Sequence, residues 1–224
     1  MRNFFNIDNP FFRFLGRMAD LMILNFLFIV CSLPILTAGA SACALFYVLF
    51  KMRENEEGYI ARSFLKAFRE NLKKGTAIWL LMLLLGLIFR QDLAVLNEKT
   101  GMLAGGLRIV IYLFIVLWGS MLVYVFPLQG RFENTIKNTM RNAFFMAAAN
   151  IRQTIAMLVM VVAPVILTVK SITTMWYALL FWFMIGFAAI AWFQTHYLRE
   201  IFKPFIGCEV TPASDEPEAG EEEL

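Results

Sequence analysis

Residues 21–50, LMILNFLFIVCSLPILTAGASACALFYVLF, are thirty consecutive positions without a charged side chain. One membrane-crossing helix needs about 20 apolar residues, and two need about 40 plus a turn. The run is too long for one span and short for two. Near its middle stand Ser32-Leu33-Pro34 and Thr37-Ala38-Gly39-Ala40-Ser41, residues that interrupt helices or allow close backbone approach. The reading is two helices meeting at a broken, small-residue turn within or near the outer edge of a bilayer.

The rest of the chain agrees with a membrane setting. It has 224 residues, of which 60% are hydrophobic and 17% charged, and its mean hydropathy is +0.66. Ordinary soluble domains are about 45–50% apolar. A soluble helical core would show one apolar stripe per helix rather than helices apolar on every side. A transmembrane barrel would need strictly alternating segments of about ten residues, and the sequence has none. The first apolar core is about twice the length of a signal-peptide core and more spans follow it, so the N-terminus is expected to be retained.

Taken in order, residues 1–17 are aromatic and basic, and Asn9-Pro10 marks a turn and a helix start. From Pro10 the pattern fits a short interfacial helix with Phe side chains at the acyl boundary and Arg side chains at lipid phosphates. Spans 1 and 2 cover 18–34 and 38–50. Residues 59–74 read as an amphipathic helix, with Ile60, Phe64, Ala67 and Phe68 on one side and Arg62, Lys66, Arg69, Lys73 and Lys74 supplying a basic face. Glu54, Glu56, Glu57 and Gly58 form the loop before it. Span 3 covers 76–89, or runs on to Leu96 past Arg90, Gln91 and Asp92. Span 4 covers 109–126 and is closed by Pro127. Residues 131–152 form a second polar-to-amphipathic segment. Span 5 covers 155–169 with Pro164 as a kink, and span 6 covers 172–193, with Trp176 and Trp192 suited to the interfaces.

Sidedness follows from counting Lys and Arg. Sixteen fall on the N-terminal, 2–3, 4–5 and C-terminal segments, against four on the other connections. That asymmetry places both termini in the cytoplasm. The fold class expected is therefore all-α: a polytopic membrane bundle of six transmembrane helices, with amphipathic cytosolic segments between spans 2–3 and 4–5. Three regions result: an interfacial segment 1–17, a six-helix domain 18–206 and an acidic tail 207–224. The tail holds seven acids and no basic residue and reads as disordered. With those acids set aside, 20 basic residues face ten acidic ones, a basic membrane body. A weak echo between Asn71-Leu72-Lys73-Lys74-Gly75-Thr76 and Asn150-Ile151-Arg152-Gln153-Thr154 leaves open a duplicated hairpin.

No catalytic grouping is legible. The single histidine, His196, lacks partners at metal or triad spacing. The Gly101, Gly105, Gly106 cluster lacks the Lys and Ser/Thr of a phosphate-binding loop. Cys31, Cys43 and Cys208 include no C-x-x-C pair and read as small hydrophobes. Neither a cofactor nor a nucleic-acid partner is expected; the partner is the lipid bilayer. Asp20, one turn from Arg17, reads as one half of an interfacial ion pair. Asn25, deeper in span 1, reads as a hydrogen bond between helices rather than a substrate contact. Pro34, Thr37, Gly39 and Ser41 have two readings. A broken span can be a transporter's binding site, or it can be a tight turn capped by Thr37 and Ser41 with small residues for close packing, which is the preferred reading.

Arg13-Phe14-Leu15, Ala19-Asp20-Leu21, Asn25, the block Ser32-Leu33-Pro34-Ile35-Leu36-Thr37-Ala38-Gly39-Ala40-Ser41 and the block Arg131-Phe132-Glu133-Asn134-Thr135-Ile136-Lys137-Asn138-Thr139 together resemble the YesL family of bacterial integral membrane proteins. The resemblance covers about residues 4–205. It implies a bacterial cytoplasmic-membrane protein of unestablished biochemical function, associated through gene neighbourhood with carbohydrate ABC importers. It supplies no catalytic or binding residues. Arg131, Asn134 and Asn138 of the second block join Asp20, Asn25, Pro34, Thr37, Gly39 and Ser41 as candidate functional positions. The function expected is a non-enzymatic accessory of oligosaccharide ABC-type uptake, with the importer's permease or ATPase subunits as partners. The alternative is a small transporter or channel working through the broken hairpin.

Overall fold

The computed structural model describes residues 10–206, apart from 55, 57, 133 and 171. The N-terminal residues before Pro10, Cys208 and the acidic tail lie outside them. Every regular element among the described residues is helical. Helix α1 runs Pro10–Ser32. A 3₁₀ turn, Ile35–Thr37, leads into α2, Ala38–Glu54. Then come α3, Ile60–Asn97; α4, Met102–Arg131; α5, Ile136–Ala149; and α6, Ile151–Val169. Helix α7, Ile172–Phe181, passes through a π-helical stretch, Trp182–Gly186, into α8, Phe187–Ile206. Six stretches are long and apolar enough to cross a membrane: Phe14–Ser32, Ile35–Glu54, Ile60–Asn97, Met102–Arg131, Ile151–Val169 and Ile172–Phe205. The chain folds as a multi-pass helical membrane protein.

The six are not equivalent. In five of them 11–17% of the most apolar window is buried inside the protein; in α2 the figure is 61%. Helix α2 is therefore the axle, packed against α1, α3, α4 and α8. The others turn large apolar side chains outward, among them Leu84, Leu87, Leu113, Ile155, Ile166 and Leu180. Such a surface calls for lipid, since water would drive it to aggregate. Lipid tails supply no hydrophobic drive between helices, so their contacts rest on close packing of small residues and on hydrogen bonds.

Both devices are present around α2. A Cβ on Gly39 would collide with the carbonyl oxygen of Gly75, and one on Gly75 would lie 2.9 Å from the Cα of Ala40. One on Gly130 of α4 would run into the carbonyl oxygen of Cys43. Glycine at these positions brings the backbones of α3 and α4 directly onto α2.

That contact explains one departure from the sequence reading. Residues 59–74 and span 3 are one helix, α3, of 38 residues, about 57 Å long at 1.5 Å per residue. Gly75 reads as a break in sequence, but here it is a contact point inside a continuous helix. The first half of α3 lies antiparallel to α2, and the second half continues about 27 Å beyond Trp79. The second amphipathic segment does contain a separate helix, α5, joined to α6 at Asn150. Pro127 also differs from expectation. Helix α4 runs through it to Arg131. Pro127 is buried among neighbouring helices, where a proline inside a membrane helix is tolerated. At the far end of α3, Arg108 reaches back from α4. It donates to the carbonyls of Leu96 (3.2 and 2.6 Å) and Lys99 (2.7 Å), placing a cation on a helix C-terminus. Gly101, at φ 134°, makes the turn between the two helices.

Candidate functional site

The broken hairpin is closed by its own side chains. Pro34 cannot donate a backbone hydrogen bond and ends the helical register of α1. The carbonyls freed there find partners. The Thr37 hydroxyl lies 2.7 Å from the Cys31 carbonyl and 2.8 Å from that of Pro34, and the Thr37 amide also reaches Pro34. The Trp79 indole of α3 donates to the Ile35 carbonyl at 2.7 Å. Leu33, Ile35 and Leu36 point outward. Ser41 departs from its expected capping role. It is wholly buried in α2, past the turn, and its hydroxyl has no hydrogen-bond partner among the described residues. Its value there is small size. Gly39 likewise serves the contact with α3.

Asn25 is fully buried and does bond between helices. Its Nδ2 donates to the carbonyls of Trp182 (3.0 Å) and Phe183 (2.8 Å), and its Oδ1 accepts from the Ala188 amide at 3.1 Å. All three groups belong to or border the π-helical stretch. A π turn takes an extra residue and shifts the backbone pairing, and one amide side chain from α1 bridges the displaced groups. Asp20, on the same helix, is half-buried and within electrostatic reach of Arg17.

A third cluster forms where the ends of α2 and α4 meet the first half of α3 and the start of α5. Arg131 and Glu54 make a two-pronged ion pair, 2.9 and 2.6 Å. The Arg131 guanidinium also stands 5.3 Å over the Phe50 ring. Two positions before Arg131, Gln129 is buried. Its Oε1 accepts from the Thr139 hydroxyl of α5 at 2.9 Å, and its Nε2 reaches Asn71 Oδ1 of α3 only at 3.5 Å. Arg131, Gln129 and Asn71 border an open cavity of about 400 Å³ whose wall also carries Tyr47, Lys66, Glu70 and Lys74. A cavity of similar size, about 410 Å³, lies between the second half of α3 and the middle of α4. Phe89, Leu93, Ile115 and Trp118 line it with only Arg90 and Asn97 as polar groups, so it offers little to a polar ligand.

The nine sequence candidates thus divide among places rather than forming one site. Pro34 and Thr37 build the turn, Gly39 and Ser41 the α2 packing face, Asn25 the π clamp and Arg131 the polar cluster, while Asp20 stands apart on α1 near Arg17. Asn134 is half-buried beside a smaller cavity that Asn142 shares, and Asn138 is exposed. Sequence reasoning missed Glu54, Gln129, Asn71 and Tyr47. A glutamine closing an apolar run, and a glutamate and an arginine each ending one, were the available signals. It also missed Arg53, whose side chain donates to Thr195 Oγ1 and the Trp192 carbonyl, each at 2.6 Å, and stacks 4.3 Å over the Trp192 ring. His196 is exposed.

Fold and surface define the class: a polytopic helical membrane protein with a buried central helix and a polar cluster at one end of it. Residues 21–93, about a third of the chain, match the family described as "Protein of unknown function, DUF624". The matched segment takes in the second half of α1, the turn, all of α2 and nearly all of α3. No curated protein and no solved structure matches the chain.

Proposed function

We propose that this chain is a non-enzymatic accessory component of an oligosaccharide ABC-type importer, in a bacterial cytoplasmic membrane with both termini inside. The observation that carries the accessory role is the self-sufficiency of the hairpin turn. Thr37 and Trp79 take up the carbonyls that a solute would need in a broken-helix transport site. The polar surface suits docking instead. Arg62, Lys66, Arg69, Lys73 and Lys74 of α3 and Lys137 and Arg141 of α5 are exposed, and the Asn71–Gln129–Thr139 contacts tie the two helices to the same end of α4. The link to sugar uptake and to a bacterial membrane rests on the resemblance to the YesL family.

The test is affinity purification of the full chain in a gentle detergent, paired with oligosaccharide uptake in a deletion strain. Permease or ATPase subunits should co-purify, and uptake should fall. Recovery of the protein alone with normal uptake would refute the proposal.

A further inference from the structure

We infer that the cavity between α2, α3 and α4 binds a phosphate-bearing anion, and this holds independently of any link to sugar uptake. Its wall is rich in hydrogen-bond donors: the ammonium groups of Lys66 and Lys74, the Arg131 guanidinium, the Tyr47 hydroxyl and the Gln129 amide, while the Asn71 amide nitrogen already donates to the Ala67 carbonyl at 3.0 Å. The carboxylate on that wall, Glu70, is 3.9 Å from Lys66 on the next turn of α3. Arg131 is already balanced by Glu54. Lys74 has no ion-pair partner among the described residues, which leaves the wall one positive charge in excess. Sites for neutral sugars match donors with acceptors, whereas this wall presents donors in excess, the chemistry that suits phosphate oxygens.

Gln129 adds an independent sign. It is 4% exposed, yet among the described residues its amide nitrogen has only the 3.5 Å contact to Asn71, at the limit of a hydrogen bond. A buried donor held so weakly at a cavity wall is costly unless another acceptor arrives. The volume, about 400 Å³, leaves room for an organic group beside the phosphate, against the rings of Tyr47 and Phe132. One excess positive charge matches the single negative charge of a phosphodiester, as in a phosphatidylglycerol headgroup. A soluble phosphomonoester shares the same oxygens.

The full chain in phosphate-free maltoside micelles separates the two sources. One arm titrates inorganic phosphate and glycerol 3-phosphate; the other adds phosphatidylglycerol to the micelles. Both follow the thermal unfolding midpoint, and native mass spectrometry reads retained lipid. A rise with phosphatidylglycerol alone assigns a lipid headgroup, and a rise with glycerol 3-phosphate assigns a soluble phosphoester. Lys74→Gln should weaken the active ligand about tenfold, equivalent to ~1.4 kcal/mol, with Lys74→Arg restoring most of it. Lys73→Gln changes an exposed neighbour outside the cavity wall and should leave binding unchanged. The inference is overturned if neither arm moves the midpoint, or if Lys73→Gln and Lys74→Gln weaken binding equally. Lys66→Gln, on the cavity wall, should also weaken the active ligand.

Discussion

Replacing Asn25 with leucine, a side chain of similar size and no polarity, removes three hydrogen bonds at once from the π-helical stretch. Interhelical hydrogen bonds inside membrane proteins average about 0.6 kcal/mol by double-mutant cycles, so the three set a floor near ~2 kcal/mol. The Ala188 amide, buried and robbed of its acceptor, adds the cost of an orphaned donor, about 1–3 kcal/mol. The expected loss is therefore about 3–5 kcal/mol. Asn25→Asp distinguishes the cause, because a carboxylate can accept from Ala188 but places a charge against two carbonyl oxygens; it should be at least as damaging as leucine. Asn25→Gln keeps the functional groups one methylene too far out and should fall between leucine and the native residue. Reversible unfolding in mixed micelles, followed by tryptophan fluorescence, measures all three. A leucine variant within about 0.5 kcal/mol of the native chain would mean that the π stretch does not need Asn25, and the clamp argument would be wrong.

Other substitutions test the remaining contacts. Gly75→Leu should destabilise by about 3 kcal/mol or more through the α2–α3 collision, while Gly105→Ala, where nothing lies within 4 Å of the new methyl, should be neutral or mildly stabilising in the same unfolding assay. Thr37→Val should cost about 1–2 kcal/mol by stripping the turn carbonyls of their donor, and Thr37→Ser should cost much less. Arg131→Lys should lose most of the benefit of the Glu54 pair, because an ammonium cannot match the two carboxylate oxygens; a double-mutant cycle with Glu54→Gln reads the coupling. Cys43, with no exposed surface, should resist a small polar maleimide in intact membranes unless the protein is unfolded, and rapid labelling would instead favour a water-filled path along α2.

The six spans were legible because length and hydropathy are properties of single segments. So was the nature of the Pro34–Thr37 turn, since freed carbonyls in lipid must be met by something nearby, and Thr37 was the nearest hydroxyl. Asn25 was legible as an interhelical bond, but its partners were not: nothing in Trp182-Phe183-Met184-Ile185-Gly186 marks a change of helical register. Gly75 misled, because a glycine between a basic stretch and an apolar one reads as punctuation until the facing glycine on α2 is known. The polar cluster was invisible for a related reason. Glu54 and Arg131 are 77 positions apart, and pairing them requires knowing that α2 and α4 end side by side. Ser41 was assigned by proximity in sequence to a turn that its helical position takes it away from.

A growing polypeptide leaves the ribosome with its amino end first, and the Ile35 carbonyl must wait 44 positions for the indole that receives it. The flat face at Gly39 waits nearly as long for Gly75. The first two helices of this protein therefore enter the translocation machinery before their seat exists, and a nascent chain halted short of Trp79 should remain open to chaperones and proteases until synthesis resumes.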